Sequence, residues 1–349
     1  MANERNSGID MLRLVLMYAV CMMHVLWQGG ILYACKAESA RLVYFFLETL
    51  AYCATDAFAL ISGYMAKDAP LRYEKLVEMW FRVFFYSFVF TLILSAAGVG
   101  ERLGIRELIK CALPVTSGKY WYFSSYFVLF LSMPVLNRFI FGIDETAAWK
   151  ALILIIALFS LCSTVADPFI INNGYSAIWL IALYVIGALS KRVRLFEKVK
   201  SLTLVVLFLG VNVLTWAVFT FAGSQILLSY VSPTVLLSAL IAVILFSRLN
   251  IKGTLVSKLS PLAFGVYLFH LNQVFFVNVI LNSFAFVADN NVFVGVMCVF
   301  AIALAIFIAG LIVDYIRGLI FGRLRIPALS RKIVCLIDKC LTKLTLLIK

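Results

Sequence analysis

Apolar runs close to 20 residues long recur from one end of this 349-residue chain to the other. A helix needs about that length to cross the roughly 30 Å hydrocarbon core of a bilayer. Inside lipid a backbone has no hydrogen-bond partner except itself or a neighbouring segment. The chain is therefore expected to fold as an all-α, polytopic membrane helix bundle. Spans are read at 9–31, 43–65, 79–98, 120–137, 149–166, 175–190, 202–221, 226–247, 262–283 and 293–320, about ten in all. The last is long enough to tilt or to continue past the membrane. Composition agrees: 64% of residues are hydrophobic and 13% charged, where soluble domains carry about 25% charged residues.

A net charge of +13 would point to nucleic acid in a soluble protein. Here the basic residues sit between the apolar runs, so their placement is topological and no nucleic-acid partner is expected. With the N-terminus in the cytoplasm, 24 of the 30 Lys and Arg residues fall on the cytoplasmic side, which the positive-inside rule requires of an N-in, C-in chain. The run KRVRLFEKVK at 191–200 fixes the loop after the sixth span. One external segment departs from the pattern. In ERLGIRELIKCAL, Arg102, Arg106 and Lys110 recur every four residues on one helical face. This is either an interfacial helix on the outer leaflet or a basic lip that receives an anionic acceptor.

Residues 1–320 form the expected membrane domain and 321–349 a basic amphipathic cytoplasmic tail. In that tail Ile333, Leu336, Ile337, Leu341 and Leu344 alternate with Arg331, Lys332, Lys339 and Lys343, a pattern suited to anionic lipid. The first apolar run carries Asp10 and Arg13 and lacks a small-residue cleavage site, so it reads as a retained helix. Eight scattered cysteines form no CxxC pair, and neither disulfides nor a metal site are expected. No P-loop, GxGxxG or HExxH is present.

Ionisable side chains inside a bilayer are costly and are candidates for function. Both histidines fall within spans. His24 follows Arg13 by eleven residues, which returns it to nearly the same helix face about 16 Å further along the axis. Asp10 is three residues before Arg13 and can pair with it. The stripe thus runs from an Asp–Arg pair at the cytoplasmic edge to an imidazole at depth. An Arg there suits a phosphate-bearing ligand, and a neutral imidazole suits a general base. The plainer reading makes Arg13 a helix anchor and His24 an interhelix bridge. His270, in SPLAFGVYLFHLNQ, admits the same two readings. Span two carries Glu48 and Asp56, and Asp56 near mid-membrane must find a partner or a proton. The Ser62–Gly63 step lets helices approach closely. Glu78 and Arg82 are four apart, either an ion pair or a site for a cytoplasmic anion. Tyr120, Trp121, Tyr122 and Tyr126 cluster near the outer end of span four, either as belt anchors or as a face for a sugar. Pro134 is expected to kink or end that helix.

RNSGIDMLRLVLMYAVCMMHV resembles the opening of the acyltransferase-3 family of integral membrane proteins, whose mark is an Arg, ten residues, then a His, here Arg13 and His24. FALISGYM, YWYFSSYFVLFLSMPVLN and FGVYLFH resemble further segments of its bacterial members, and the likeness covers roughly residues 5–320. It implies an O-acyltransferase of the bacterial cytoplasmic (inner) membrane that moves an acyl group, usually acetyl, from cytoplasmic acyl-CoA to a sugar hydroxyl of an exported glycan or lipid-linked sugar. Acetyl-CoA is then the donor, with no metal. His24 and Arg13 take the family's first-helix roles. Beside them, the residues nominate His24, Asp56 and His270 for catalysis. Arg13, Asp10 and Arg82 are nominated for acyl-CoA, and Trp121, Tyr122 and Tyr126 for the acceptor. Many members carry an Arg-x-x-Arg pair after helix two. Here that stretch reads LRYEKLVEMWFRVFF, with Lys75 and Arg82 but no such pair.

The rival reading is a proton-coupled transporter or flippase of lipid-linked sugars, with His24, Glu48 and Asp56 as a relay. A second is a membrane sensor or partner subunit without activity. Transporters often show paired repeats, and none is visible in the sequence.

Overall fold

A computed structural model describes residues 6–100, 103–251 and 253–348. Among these the fold is helical throughout. The main helices are α1 (Ser7–Leu26), α2 (Glu38–Tyr52), α3 (Ala54–Tyr64), α4 (Tyr73–Phe84), α5 (Ile105–Ala112), α6 (Trp121–Gly142), α7 (Glu145–Ile156), α8 (Ala177–Arg192), α9 (Ser201–Ala222), α10 (Pro233–Ser247), α11 (Ala263–His270), α12 (Val292–Arg323) and α13 (Ile326–Ile348). Their starts follow from capping chemistry. Asn6 accepts from the Ile9 amide at 2.9 Å, and Asp144 from the Ala147 amide at 2.7 Å. Ser232 caps α10 with Pro233 behind it. Each satisfies an amide that the first helical turn leaves without a partner.

Among the described residues, seven helical segments are long and apolar enough to cross a bilayer: Ser7–Ala34, Glu38–Tyr64, Tyr73–Ala96, Trp121–Gly142, Glu145–Val165, Ser201–Ala222 and Val292–Arg323. A bent pair, Thr254–His270 and Gln273–Asp289, makes an eighth if counted as one span. The remaining two expected spans coincide with α8 and α10, of 16 and 15 residues. At 1.5 Å per residue these reach only about 24 and 22 Å. Both are largely buried among other helices.

Three expectations are corrected. The ninth span is not one helix. It breaks after His270 and turns through 59°, so His270 ends a half-helix inside the bundle instead of lying near the start of a continuous span. Pro134, expected to kink or end its helix, does not end it: α6 continues through it to Gly142. Glu78 and Arg82 do not pair with each other: Glu78 binds Lys75 at 2.7 Å, and Arg82 binds Asp314 of α12.

Helices α3 and α8 approach each other closely. A side chain at Gly63 would run into the carbonyl of Tyr184, and one at Gly187 into the carbonyl of Leu60. Two glycines facing opposite backbones let the helices touch directly, the usual basis of close packing in lipid. The expected role of the Ser62–Gly63 step is thus seen for Gly63, while Ser62 turns to Tyr126 at 3.4 Å. Helix α1 lies at the centre, against α2, α3, α10, α11 and α12. In contrast, α9 buries only Leu204, Asn212 and Thr215 and presents an apolar flank outward, as a lipid-facing helix does.

The basic segment read as external forms α5. Arg102 lies outside the described residues, Arg106 is exposed, and Lys110 pairs with Glu107 at 2.7 Å. Lys110 holds the Glu107 carboxyl below its usual range. The tail becomes α13, which packs along α4. It leaves Leu336, Ile337 and Leu341 exposed; the side chain of Leu344 lies outside the described residues.

Candidate active site

Helix α1 defines the two ends of the bundle. Its N-terminal cap Asn6 donates to the carbonyl of Ser247 at 2.9 Å. At the other end the carbonyls of Gln28 and Gly29 accept from the amides of Asn282 and Phe284 at 2.8 and 2.9 Å. A cavity of about 1600 Å³ opens along this helix. Arg13, Lys75, Arg82 and Ser260 line it at the N-terminal end, and Trp121, Lys119, Tyr175, Gln225 and Tyr230 at the opposite end. His24 lies on its wall between them.

The i, i+4 geometry of a helix fixes the two imidazoles. His24 Nδ1 is 2.7 Å from the Val20 carbonyl, and His270 Nδ1 is 2.6 Å from the Val266 carbonyl. A carbonyl only accepts, so each Nδ1 carries the proton and each neutral ring keeps its lone pair on Nε2. The ring centroids lie 5.1 Å apart. His24 is half-buried and lines the cavity. His270 is fully buried, does not line it, and its Nε2 has no hydrogen-bond partner. Phe276 packs on His24 edge-on at 6.1 Å. It begins a π-helical stretch, Phe276–Ile280, and such stretches often occur beside functional residues. Asn272 holds the break open. It caps the second half by accepting from Val274 and Phe275, and donates to the Tyr86 carbonyl at 2.8 Å and Thr91 Oγ1 at 2.7 Å.

The Asp10–Arg13 pair forms as expected, at 2.8 Å. Arg13 lines the cavity with its side chain 34% exposed. Asp10 is fully buried, accepts also from Ser260 at 3.0 Å, and lies off the cavity wall. Arg82 lines the cavity too, but it is anchored. Asp314 takes both its Nε, at 3.0 Å, and its Nη2, and the Pro261 carbonyl takes a further bond at 3.0 Å. Arg317 and the Tyr86 hydroxyl bind the same carboxylate, at 2.8 and 3.1 Å. Asp314 was missed in the sequence, although VDYIR repeats the i, i+3 Asp–Arg spacing of Asp10 and Arg13 near the end of the last apolar run.

Asp56 does not reach the cavity. It is fully buried and accepts from Trp179 Nε1 at 3.0 Å. The carboxyl of the same span that does line the cavity is Glu48. Trp121, Tyr122 and Tyr126 all line it, on two faces of α6. Tyr122 approaches Tyr267 at 6.3 Å and Tyr126 meets Ser62, while Trp121 joins Tyr52, Tyr175 and Tyr230 in an aromatic group. Tyr175 and Tyr230 come from loops far apart in sequence and carry no local signal. Among the described residues no cluster of His, Cys, Asp and Glu is placed to hold a metal ion.

The family model of the acyltransferase-3 acyltransferase domain matches residues 6–310, most of the chain. The chain belongs to the acyltransferase-3 family. It is therefore a membrane acyltransferase, as the motif in its first helix implied. Neither the curated proteins nor the solved structures contain a match. The matched stretch takes in every side chain that lines the cavity of this acyltransferase, from Arg13 to Phe276. It ends before Asp314, Arg317 and the tail helix α13.

Proposed function

We propose that this acyltransferase moves the acyl group of a cytoplasmic acyl-CoA, acetyl first among them, onto a hydroxyl of an exported glycan or lipid-linked sugar. In this reading it sits in a bacterial inner membrane with both ends inside. The observation that carries it is the single cavity in which Arg13, His24 and Trp121 succeed one another. A charged mouth, a basic nitrogen at depth and an aromatic far end match the three parts of such a reaction. Arg13, Lys75 and Arg82 face the donor's phosphates, with Asp10 and Asp314 holding Arg13 and Arg82 in place.

The chemistry follows from the fixed tautomer. His24 Nε2 takes the proton of the acceptor hydroxyl as its oxygen attacks the thioester carbonyl carbon. The tetrahedral intermediate collapses, the C–S bond breaks, and the thiolate of CoA receives the proton back from the imidazolium. Val20 supports that imidazolium, because its carbonyl still accepts from Nδ1 when both nitrogens are protonated. His270, in ring contact behind His24, holds the imidazole in place and is a positioning residue. The tail helix is read as resting on anionic lipid, with Leu336, Ile337 and Leu341 against the surface and Lys332, Lys339 and Lys343 toward headgroups.

The test uses membranes containing the protein, radiolabelled acetyl-CoA and a surface-glycan extract, with His24→Ala as control. Label in glycan that vanishes in the variant supports the reading. Equal labelling by the variant removes His24 from the mechanism. No labelling from acetyl, succinyl or other acyl-CoA donors removes the glycan as acceptor.

A further inference from the structure

Among the described residues, two carboxyls and two amines line the cavity away from Arg13: Glu48, Glu107, Lys110 and Lys119. Glu48 is only 3% exposed and its Oε2 has no hydrogen-bond partner. An ionised carboxylate is too costly there without a partner, so Glu48 enters as a neutral acid. Glu107 is partly exposed and is bound by Lys110 at 2.7 Å and by Lys119 at 3.5 Å. One carboxylate thus serves two ammonium groups, and this end of the cavity carries a surplus positive charge. Lys119 is mostly buried, its side chain 13% exposed. An ammonium has three N–H donors. Among the described residues Lys110 spends one, on Glu107, and Lys119 two, on Glu107 and the neutral Gln273. Cations drawn out of water with donors to spare favour an anion that enters beside them.

The fold holds both lysines in place. Ser87 donates to the carbonyl of Cys111 at 2.7 Å, which ties α5 to the bundle. Ile105 and Ile109 of α5 are exposed, while Glu107 and Lys110 line the cavity. Ser117 donates to the carbonyls of Lys110 and Leu113, both at 2.8 Å, and closes the turn that leads to Lys119. Gln273, which receives Lys119, starts the second half of the broken helix. It lies three residues, or about 4.5 Å along the axis, before Phe276, whose ring packs on His24.

We infer that Glu107, Lys110 and Lys119 form an anion subsite for the acceptor, and that the sugar selected carries a carboxylate or a phosphate. This rests on the reading of the acceptor as a sugar. The anion takes charge-assisted hydrogen bonds from the two ammonium groups and shares them with Glu107. Trp121, two residues after Lys119 and also on the cavity wall, offers apolar surface to the sugar ring. The path from Lys119 through Gln273 to Phe276 puts the anion close to the hydroxyl that meets His24. Arg106, exposed on the same helix, adds to the potential that draws an anion to this end. A neutral sugar leaves the surplus charge unmatched.

The full-length protein in phosphatidylcholine nanodiscs, free of sugar detergents and of anionic lipid, is probed by saturation-transfer NMR. The ligands are methyl glucoside with methyl glucuronoside, methyl galactoside with methyl galacturonoside, and glucose with glucose 1-phosphate. At least one anionic sugar should take up saturation at least about tenfold more than its neutral partner. The double variant Lys110→Gln, Lys119→Gln should bring it down to the neutral sugar. Glu107→Gln removes the competing carboxylate and should raise it. Opposite changes within one cluster are not produced by loss of folding, and acyl-CoA binding retained in both variants checks the fold. A preference for uronates alone or for phosphate alone supports the inference and names the anion. Equal signals within every pair, no signal from any anionic sugar, an unchanged preference in the double lysine variant, or a fall in Glu107→Gln overturns it. Radiolabelled transfer run in parallel separates the two readings. Anionic-sugar binding that follows the lysines, without transfer from any acyl-CoA, leaves the subsite and overturns acyl transfer to sugar. Transfer to neutral and anionic sugars alike, unaltered by the lysine variants, leaves the enzyme and overturns the subsite.

Discussion

The imidazoles of His24 and His270 stand with ring centroids 5.1 Å apart and planes inclined at 66°. They come from helices separated by more than two hundred residues, and each is tied by Nδ1 to the carbonyl four residues before it. The same tautomer is thereby imposed on both, but only His24 meets the cavity. Replacing His24 by Ala should lower transfer by about 10²- to 10⁴-fold, the span expected for loss of a general base, while acyl-CoA binding persists. His270→Gln should lower kcat by roughly tenfold and leave the KM for acyl-CoA unchanged, since it acts through His24. Steady-state kinetics in nanodiscs measures both. A rise in KM without a fall in kcat would remove His270 from its positioning role.

Asp56 is predicted to be dispensable for chemistry. Its carboxylate serves Trp179 across α3 and α8, and Asn offers the same acceptor. Asp56→Asn should therefore keep transfer close to the wild-type rate. Trp179→Phe removes the donor from a buried carboxyl and should cost about 1–3 kcal/mol of stability. Thermal unfolding in nanodiscs reads the second effect, and an inactive but well-folded Asp56→Asn would contradict the first.

Asp314 binds two guanidiniums, Arg82 and Arg317, and accepts from Tyr86. Removing it leaves two cations together without a counter-charge. Asp314→Ala should destabilise by about 3–5 kcal/mol, the usual cost of breaking a buried pair from one side. Adding Arg82→Met should recover part of that loss, because one stranded charge goes with it. Chemical denaturation of the single and double variants measures the coupling. Additive losses would show that the two residues do not interact.

Gly63 and Gly187 let α3 and α8 touch backbone to backbone. Gly63→Val has no space at the Tyr184 carbonyl and should force the helices apart, lowering stability by about 1–3 kcal/mol or more. The gel-filtration profile and melting temperature should both deteriorate. A variant as stable as the parent would mean that the pair is looser than its geometry shows.

Much of the site is legible in one dimension because helices convert spacing into direction. Asp10, Arg13 and His24 share a stripe on a single helix, so their alignment needs no tertiary knowledge. Trp121, Tyr122 and Tyr126 likewise reach the cavity together. Asp56 fails for the opposite reason. Its depth was readable, but the direction it faces depends on where α8 lies. Arg82 was readable as a cation near an edge, yet its partner turned out to be Asp314, 232 residues away, and not Glu78, four residues away.

By itself the sequence determined that this chain is an all-helical membrane protein, and that its first helix carries the motif of an acyltransferase. Apolar length and residue spacing are local properties, and lipid leaves a backbone few alternatives. Only the tertiary structure decided that His270 ends a broken helix against His24, that Glu48 and not Asp56 lines the cavity, and that Tyr52, Trp121, Tyr175 and Tyr230 gather at its far end. Those relations depend on how separate helices and loops rotate against one another. That rotation is set by the packing of the whole bundle, to which no single segment of sequence has access.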